Sequence, residues 1–412
     1  MKNASLVSVG NEILSGLTVD TNAAYLSREL LSMGIPVVSG YTVPDEVEAV
    51  SQAIRRAKSD ANIVLVTGGL GPTDDDLTRQ ALASYLHVEL EFHQELLYDI
   101  DKFFRKRNRP MTERNRVQAY LPAGTHALSN PVGTAPGMLA ETDGGIIVAM
   151  PGVPSEMKLM FRESVGPRLK KADRGQVVLV HKLRCFGTGE SNVAQMLGDF
   201  MQRGRNPLIN CTVSGSVITL HIVATAGEFT VAGQMIDRDT EALHAILGDL
   251  VFGHGEQTLA DVVAEKLTAA GKTLAVAESC TGGLLAKMLT DPAGASAYFH
   301  QGWITYTNDS KTVELGVPRE LIARHGAVSE QVARAMAEGA RRRAATDFAI
   351  GITGIAGPTG ATEHKPLGSV YISVDSACGC LNTHGVFSHG RGAVRLRAAL
   401  TAMNMLRREL DA

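Results

Sequence analysis

The sequence predicts a multidomain α/β protein, and three observations support this fold class. The chain has 412 residues, which is more than one ordinary hydrophobic core accommodates, so two or three domains are expected. Apolar residues make up 44% and charged residues 20% of the chain, and its 42 glycines suit tight turns between strands and helices. Strand-like and helix-like patterns alternate near both ends of the chain.

The first segment alternates short apolar strands with amphipathic helices. Strand patterns at 6–9, 37–43 and 63–67 are separated by helix patterns at 23–33 and 44–58. This β-α-β-α-β order predicts a doubly wound, mostly parallel sheet. Ligands of such sheets bind at the carboxyl ends of the strands, so the loops that follow these strands are candidate binding loops.

The loop 68–78 is the strongest of these candidates. Its glycines would bring backbone amides close to a phosphate, and the aspartates that follow supply oxygen ligands for a hard cation such as Mg²⁺. The alternative is that the aspartates cap the next helix, which needs only one of them. Loops 130–137 and 151–157 are expected to form walls of the same pocket. The glycines concerned are Gly68, Gly69 and Gly71.

These N-terminal motifs resemble the amino-terminal domain of the CinA family, which is similar in fold to the molybdopterin-binding MogA and MoaB proteins. The resemblance implies hydrolysis of ADP-ribose to AMP and ribose 5-phosphate with a divalent metal, Mg or Co. It implies metal ligands at Glu12, Asp75 and Asp76 and substrate-binding residues at Asp20, Asn22, Thr73 and the three glycines. Asp74 falls at a variable position of the motif.

A different pattern begins near Lys170. Strands are predicted at 177–183 and 217–224, and helices after 187–191 and over 230–247. This α+β module resembles the KH-like middle domain of CinA proteins. The Gly-x-x-Gly signature with a basic flank, which marks nucleic-acid binding, is not evident, and the net charge of −3 gives no general attraction to nucleic acid.

The segment 273–287 reads TLAVAESCTGGLLAK and predicts a strand, a glycine-rich turn and a helix. In this turn Ser279 is a candidate nucleophile, and the amides of Gly282 and Gly283 are candidate donors to an oxyanion or a phosphate. Two alternatives stay open: Ser279 or Thr281 caps the helix, or Cys280 is the nucleophile.

Two further strand ends carry hydroxyl groups. The strand pattern near 302–306 runs into a predicted polar turn with Tyr306 and Lys311, and Thr353 lies in a glycine-rich loop. In a parallel sheet these ends meet Ser279 at one edge. Lys311 would be the base if its pKa is lowered, and Tyr306 would relay a proton. Thr353 would help to stabilise the oxyanion, and Arg391 offers a fork for a phosphate. Solvated, non-catalytic roles are the alternative for Lys311 and Arg391.

This part resembles the carboxy-terminal domain of the CinA family, so the resemblance covers essentially the whole chain. It implies deamidation of nicotinamide mononucleotide by a catalytic Ser279, Tyr306 and Lys311, without a cofactor. Thr353, Asn308 and Arg391 match positions of the pocket. The predicted domains are residues 1–169, 170–255 and 256–412.

Together, the predictions for the two end domains indicate a bifunctional hydrolase of pyridine-nucleotide salvage, which is expected to be a homodimer. The rival hypothesis is a nucleotide- or pterin-binding regulator linked to competence or DNA damage, with one or both sites inactive. The five cysteines form no C-x-x-C pair, and no long apolar run or leader is found, so a cytoplasmic protein without a membrane partner is expected.

Overall fold

The computed structural model describes residues 2–171 and 177–411, which form two compact units. The first unit consists of the chain up to Leu179 together with Thr225–Gly233. The second consists of Val180–Ala224 and the chain from Gln234 onward. Within the described residues, no helix is long and apolar enough to cross a membrane.

The N-terminal domain is a largely parallel sheet between two layers of helices. Its strands are β1 (Ala4–Val9), β2 (Val37–Val43), β3 (Ile63–Thr67), β4 (Leu90–Phe92), β5 (Tyr120–Pro122), β6 (His126–Leu128), β7 (Gly137–Thr142) and β8 (Gly145–Met150). Its helices are α1 (Asn11–Leu14), α2 (Thr21–Ser32), α3 (Val47–Asp60), α4 (Thr78–Leu86), α5 (Gln94–Arg105), α6 (Pro154–Met160) and α7 (Gly166–Lys171).

The strand order of this sheet is β2-β1-β3-β8-β7-β6. The strands β2, β1, β3 and β8 are parallel, and β7 pairs antiparallel with both β8 and β6. Alternate residues of β1 enter different cores, because successive side chains of a strand point to opposite faces. Val7 and Val9 pack with α3 and α4, whereas Leu6 packs with α2 and α6. The predicted doubly wound sheet is confirmed.

The middle region contains strands and helices in an α+β arrangement. They are β9 (Val177–Cys185), α8 (Glu190–Leu197), β10 (Leu208–Ser214), β11 (Val217–Ala226), α9 (Phe229–Leu247) and β12 (Val251–His254). The strands are ordered β10-β11-β9-β12, and the pairs β10–β11 and β9–β12 are antiparallel.

The C-terminal domain is again an α/β sandwich. Its strands are β13 (Leu274–Glu278), β14 (Phe299–Ile304), β15 (Phe348–Gly354), β16 (Ser369–Ser376) and β17 (Gly379–Val386). Its helices are α10 (Leu259–Ala269), α11 (Leu284–Thr290), α12 (Asn308–Leu315), α13 (Arg319–His325), α14 (Glu330–Ala344) and α15 (Gly390–Glu409).

The strand order here is β14-β13-β15-β16-β17. The first three strands are parallel, and β16 and β17 form an antiparallel hairpin at the edge. The carboxyl ends of β13, β14 and β15 therefore lie side by side, as the sequence predicts. The chain leaves β13 toward β14 on one side and later returns to β15 on the other, so a crevice opens where β13 ends.

One segment differs from the prediction. The sequence indicates a polar turn after β14, but the chain there begins α12. Thr307 caps this helix, and its hydroxyl accepts a hydrogen bond from the amide of Ser310. Ser310 bonds back to Thr307 in a capping box. Polar residues that favour a turn also favour a helix cap, and here the second use prevails. Lys311 therefore lies on a helix.

The central strand β15 packs closely against α14. A Cβ atom on Gly351 would lie 2.2 Å from the carbonyl oxygen of Ala333 and 2.8 Å from the amide nitrogen of Ala337. The small residues on both elements allow this approach, which fixes the distance between the sheet and the helix.

Replacing Gly351 with Ala is expected to destabilise the C-terminal domain by about 1–3 kcal/mol, because the added methyl group has no space. The chain's single tryptophan, Trp303, lies in β14 and reports unfolding of this domain by its fluorescence. The control is Gly392→Ala in α15, where a Cβ atom meets nothing within 4 Å. Equal unfolding midpoints for the two variants would contradict this packing argument.

Candidate functional site

The side chain of Lys311 lies against the hydroxyl of Ser279 at the carboxyl end of β13. Its Nζ donates to Ser279 Oγ at 3.0 Å and to the carbonyl oxygen of Thr305 at 2.8 Å. Lys311 is 1% exposed and Ser279 is 8% exposed. The predicted pairing of a hydroxyl with an amine is therefore present in the folded chain.

Burial lowers the pKa of Lys311 from 10.5 to about 8, since the interior penalises the charged ammonium. No carboxylate forms an ion pair with this ammonium among the described residues. A lysine with such a pKa is partly neutral near physiological pH, and a neutral amine accepts a proton from a hydroxyl.

Backbone pairing places Ser279 between the ends of the two neighbouring strands. The amide of Ser279 donates to the carbonyl oxygen of Ile352 on β15, at 3.0 Å. The amide of Thr305 donates to the carbonyl oxygen of Glu278 at 2.8 Å. Sheet hydrogen bonds thus extend to the nucleophile turn, residues 279–283, and fix its first residue.

Tyr306 and Arg391 come together at the mouth of this crevice. Arg391 donates from Nη2 to Tyr306 Oη and from Nη1 to the carbonyl oxygen of Gly357, both at 2.9 Å. Tyr306 is 56% exposed, and Arg391 is exposed on the first turn of α15. An exposed phenol next to a guanidinium is accessible to a substrate that enters the crevice.

Gly282 and Gly283 do not have the predicted role as donors to an oxyanion. The amide of Gly283 donates to Glu278 Oε2 at 3.0 Å, and the amide of Gly282 donates to the carbonyl oxygen of Ser279 at 3.1 Å. The amides at the start of α11 are therefore already occupied within the protein. The prediction for these two glycines is wrong in that respect, because the buried carboxylate of Glu278 occupies the amide of Gly283 and the carbonyl oxygen of Ser279 occupies the amide of Gly282.

The other predicted pocket residues lie at the same edge of the sheet. Thr353 is 1% exposed, and its hydroxyl donates to the carbonyl oxygen of Ala327 at 2.8 Å. Its proton is already used, so the predicted role of Thr353 in stabilising the oxyanion lacks a free donor. Asn308 is exposed on the first turn of α12.

Cys280 is an unsuitable nucleophile. It is 5% exposed and belongs to the hydrophobic core of the C-terminal domain. Burial raises the pKa of its thiol to about 12, so the reactive thiolate is scarce at neutral pH. The geometry therefore favours Ser279.

Two residues that support this site are missed at the sequence level. Glu278 accepts the amides of α11 as described above, and Arg395 donates twice to the carbonyl oxygen of Thr281. An acidic residue directly before a glycine-rich turn is a signal for a cap, which could have identified Glu278. Nothing local in the sequence points to Arg395, which lies more than 110 residues further along the chain.

A second cleft, of about 460 Å³, lies at the carboxyl edge of the N-terminal sheet. Loops 130–137 and 151–157 both contribute walls to it, as predicted. Asp74 does not line it, in agreement with its variable position in the motif. The predicted residues that the cleft brings together are Glu12, Asp20, Asn22, Gly68, Gly69, Gly71, Thr73, Asp75 and Asp76.

Asp76 has a structural role in the loop that precedes it. Its Oδ1 accepts from the amide of Gly71 at 2.7 Å, and its Oδ2 accepts from the amide and the hydroxyl of Thr73. Arg79 also holds this loop, because its guanidinium donates to the carbonyl oxygens of Leu70 and Gly71. Burial lowers the pKa of Arg79 to about 10.

Asp20 and Asn22 also bond within the protein. Asp20 caps α2 by accepting from the amide of Ala23, and it accepts from the hydroxyl of Ser8. Asn22 donates from Nδ2 to the carbonyl oxygen of Gly152 at 2.7 Å, while its buried Oδ1 has no partner. Asn22 therefore joins two walls of the cleft and keeps one acceptor free.

Metal binding by protein side chains alone does not fit this cleft. Within residues 2–171 and 177–411, no three acidic, histidine or cysteine side chains are grouped so that they could hold a metal ion. Glu12 and Asp75 are exposed in the cleft, whereas both oxygens of Asp20 and Asp76 already accept hydrogen bonds. Two carboxylates suit a Mg²⁺ ion that takes its other ligands from water and substrate phosphates.

Three family models match successive parts of the chain. They are described as a probable molybdopterin binding domain, the damage-inducible protein CinA KH domain and the CinA C-terminal domain, over residues 5–171, 181–253 and 256–410 respectively. Together they give the three-domain architecture of a MogA-like N-terminal domain, a KH domain and a carboxy-terminal α/β domain.

Curated relatives match over nearly the whole length. A "putative competence-damage inducible protein" of Caldicellulosiruptor saccharolyticus is 40% identical, over 99% of this chain and 99% of its own. A "CinA-like protein" of Gloeobacter violaceus is 42% identical, over 99% and 96%.

Solved structures match one part of the chain. The crystal structure of "the protein CinA with unknown function" from Thermoplasma acidophilum is 36% identical with a TM-score of 0.39, over 41% of this chain and 98% of that chain. The family assignment depends on the sequence matches, which span all three domains, and it agrees with the predicted resemblance. The chain belongs to the CinA family.

Proposed function

We propose that the C-terminal domain hydrolyses the carboxamide of nicotinamide mononucleotide to nicotinate mononucleotide and ammonia. The observation that carries this proposal is the 3.0 Å contact between Ser279 Oγ and the buried amine of Lys311. A hydroxyl with an amine of lowered pKa is the nucleophile–base pair that acyl transfer requires.

In the proposed mechanism Ser279 Oγ attacks the carboxamide carbon while Lys311 takes its proton. As the tetrahedral intermediate collapses, Lys311 returns the proton to the leaving amino group, directly or through Tyr306, and ammonia is released. Water then hydrolyses the acyl-enzyme by the same route in reverse. Arg391 lies beside Tyr306, where its fork would bind the phosphate of the substrate.

Replacing Ser279 with Ala is expected to reduce ammonia release by about 1,000-fold or more, because the nucleophile is lost. The measurement is ammonia release from nicotinamide mononucleotide by the full-length protein without added metal. The matched control is the neighbouring Cys280→Ala, which should keep most of the activity because the Cys280 thiol is buried and protonated. Activity that survives in the first variant and disappears in the second would reverse the assignment of the nucleophile.

The pH profile should follow the neutral form of Lys311. With a pKa of about 8, the neutral fraction rises as the pH increases toward 8 and is nearly complete by pH 9. We therefore expect kcat/KM for ammonia release to increase about tenfold per pH unit below about pH 7, more slowly toward pH 8, and then to level off. Lys311→Arg, which stays charged, should be inactive throughout. A profile that is flat between pH 6 and 9 would exclude Lys311 as the base.

For the N-terminal domain we propose metal-dependent hydrolysis of ADP-ribose to AMP and ribose 5-phosphate. The support is the cleft that the loop 68–71 lines together with the exposed carboxylates of Glu12 and Asp75. Glu12 and Asp75 would hold a divalent ion there, and the ion would offset the negative charge of the substrate's diphosphate. The chain's own groups would bind and orient that diphosphate.

Asp75→Asn is expected to lower AMP formation from ADP-ribose with Mg²⁺ by about 100-fold, because one of the two carboxylates exposed in the cleft is lost. The matched control is Asp74→Asn, which removes the same charge from the adjacent residue but does not line the cleft. Equal effects of the two substitutions would indicate a general charge effect and contradict a ligand role for Asp75.

A regulatory, ligand-binding role is the second candidate for this domain. It is favoured by the match to a probable molybdopterin binding domain and by the relatives' names, which mention competence and damage rather than a reaction. If ADP-ribose raises the melting temperature without forming AMP, the domain is a binding module and the hydrolase proposal fails.

A further inference from the structure

The nucleophile turn, residues 279–283, is held at both ends by charged side chains that lie outside it. Glu278 precedes the turn and is fully buried. Its carboxylate accepts hydrogen bonds from the amides of Gly283, Leu285 and Ala286, at 3.0, 3.1 and 2.8 Å. This single carboxylate therefore ties the end of β13 to the start of α11.

On its other side the turn is held by Arg395 of α15. Arg395 donates from Nε at 3.0 Å and from Nη2 at 2.6 Å to the carbonyl oxygen of Thr281. A forked guanidinium that bonds one acceptor twice restrains its position more strongly than a single donor does. Gly282, which follows Thr281, has a φ of +58°, in the left-handed region that favours glycine.

We propose that Glu278 and Arg395 are positioning residues that together fix Ser279 against Lys311; the proposal rests on the function proposed above for this site. The carboxylate takes the N–H groups that the turn presents on one side, and the guanidinium takes the carbonyl group that it presents on the other. Neither residue needs to touch the substrate. Their effect is on the geometry of the Ser279–Lys311 contact, where a displacement of about 1 Å costs about 100-fold in rate.

The placement of Arg395 extends this alignment to the mouth of the crevice. Arg391 is four residues earlier on α15, so the two arginines project from the same face of the helix. The first holds Tyr306 and the loop at Gly357, and the second holds the nucleophile turn. One helix face thus sets the relative positions of the Ser279 hydroxyl, the Tyr306 phenol and the loop at Gly357.

The buried charge of Glu278 also has a consequence for binding. The helix end at α11 is already neutralised by a protein carboxylate, so it offers no free site for the substrate's phosphate. Arg395 bonds to the carbonyl oxygen of Thr281 and is proposed not to touch the substrate, so its removal should reduce turnover and leave substrate affinity nearly unchanged.

The test compares Arg395→Ala with Arg397→Ala in the full-length protein. Arg397 lies on the same helix, is exposed and contacts only the ring of Phe387 among the described residues, at 5.6 Å. For Arg395→Ala we expect kcat for ammonia release to fall about 100-fold with KM nearly unchanged. Millimolar guanidinium ion should restore part of kcat in Arg395→Ala, and Arg395→Lys should lie between wild type and Arg395→Ala. Arg397→Ala should behave like wild type.

Three results would overturn the proposal. They are an unchanged kcat in Arg395→Ala, an increase in KM that accounts for the loss, and a loss that Arg397→Ala reproduces. Glu278→Gln provides a second test, because its amide group would direct N–H donors at the N–H groups of α11. It should lower kcat to a similar extent, while Trp303 fluorescence monitors folding.

A readout without substrate separates this proposal from the deamidase assignment. Phenylmethanesulfonyl fluoride sulfonylates an activated serine: Ser279 Oγ forms the S–O bond, fluoride leaves and the proton passes to Lys311. The rate is followed by intact mass, with Ser279→Ala as the blank. Suppose that wild type releases no ammonia, and that Arg395→Ala is labelled about 100-fold more slowly than wild type while Arg397→Ala is not. The positioning role of Arg395 then stands and the deamidase proposal fails. Equal labelling rates in wild type and Arg395→Ala overturn the positioning role.

Discussion

The burial of the Lys311 amine is the constraint on which the C-terminal site depends. An ammonium at 1% exposure lacks its water shell, so its pKa falls to about 8, and among the described residues only Ser279 and one carbonyl oxygen solvate it. The same burial that destabilises the charged form makes the neutral base available. Lys311 lies one turn inside α12, and the capping box at Thr307 fixes where this helix begins. The reactivity of the amine therefore depends on the helix start and on the strand end that faces it.

Internal carboxylates organise both candidate sites. Glu278 accepts the amides at the start of α11, and Asp76 accepts the amides and hydroxyl of the loop at 71–73. Asp20 similarly caps α2. In each case the protein supplies the anion that a glycine-rich turn or a helix start attracts. These loops are therefore held by hydrogen bonds within the protein, and the groups left to bind substrate are those that the carboxylates do not engage.

Much of the fold could be predicted because it depends on local patterns. The apolar strands at 63–67 and 348–352 are buried on both faces, and their composition alone indicates this. The convergence of Ser279 and Lys311 follows from parallel strands and could be expected. The start of α12 could not, because a polar run after a strand suits a turn and a helix cap equally well. The roles of Gly282 and Gly283 were misjudged because a sequence does not show which acceptor an amide meets.

The sequence by itself determined the domain order, the parallel sheets and the candidate reactive side chains, since these follow from residue type and spacing along the chain. The tertiary structure decided which of these groups are not already engaged by other groups of the protein. It buried Lys311 and Cys280 together yet moved their pKa values in opposite directions, because burial disfavours whichever form carries charge. It also brought Arg395 to a turn more than 110 residues earlier in the chain. Such contacts join segments whose spacing carries no signal, so only the packed chain reveals them.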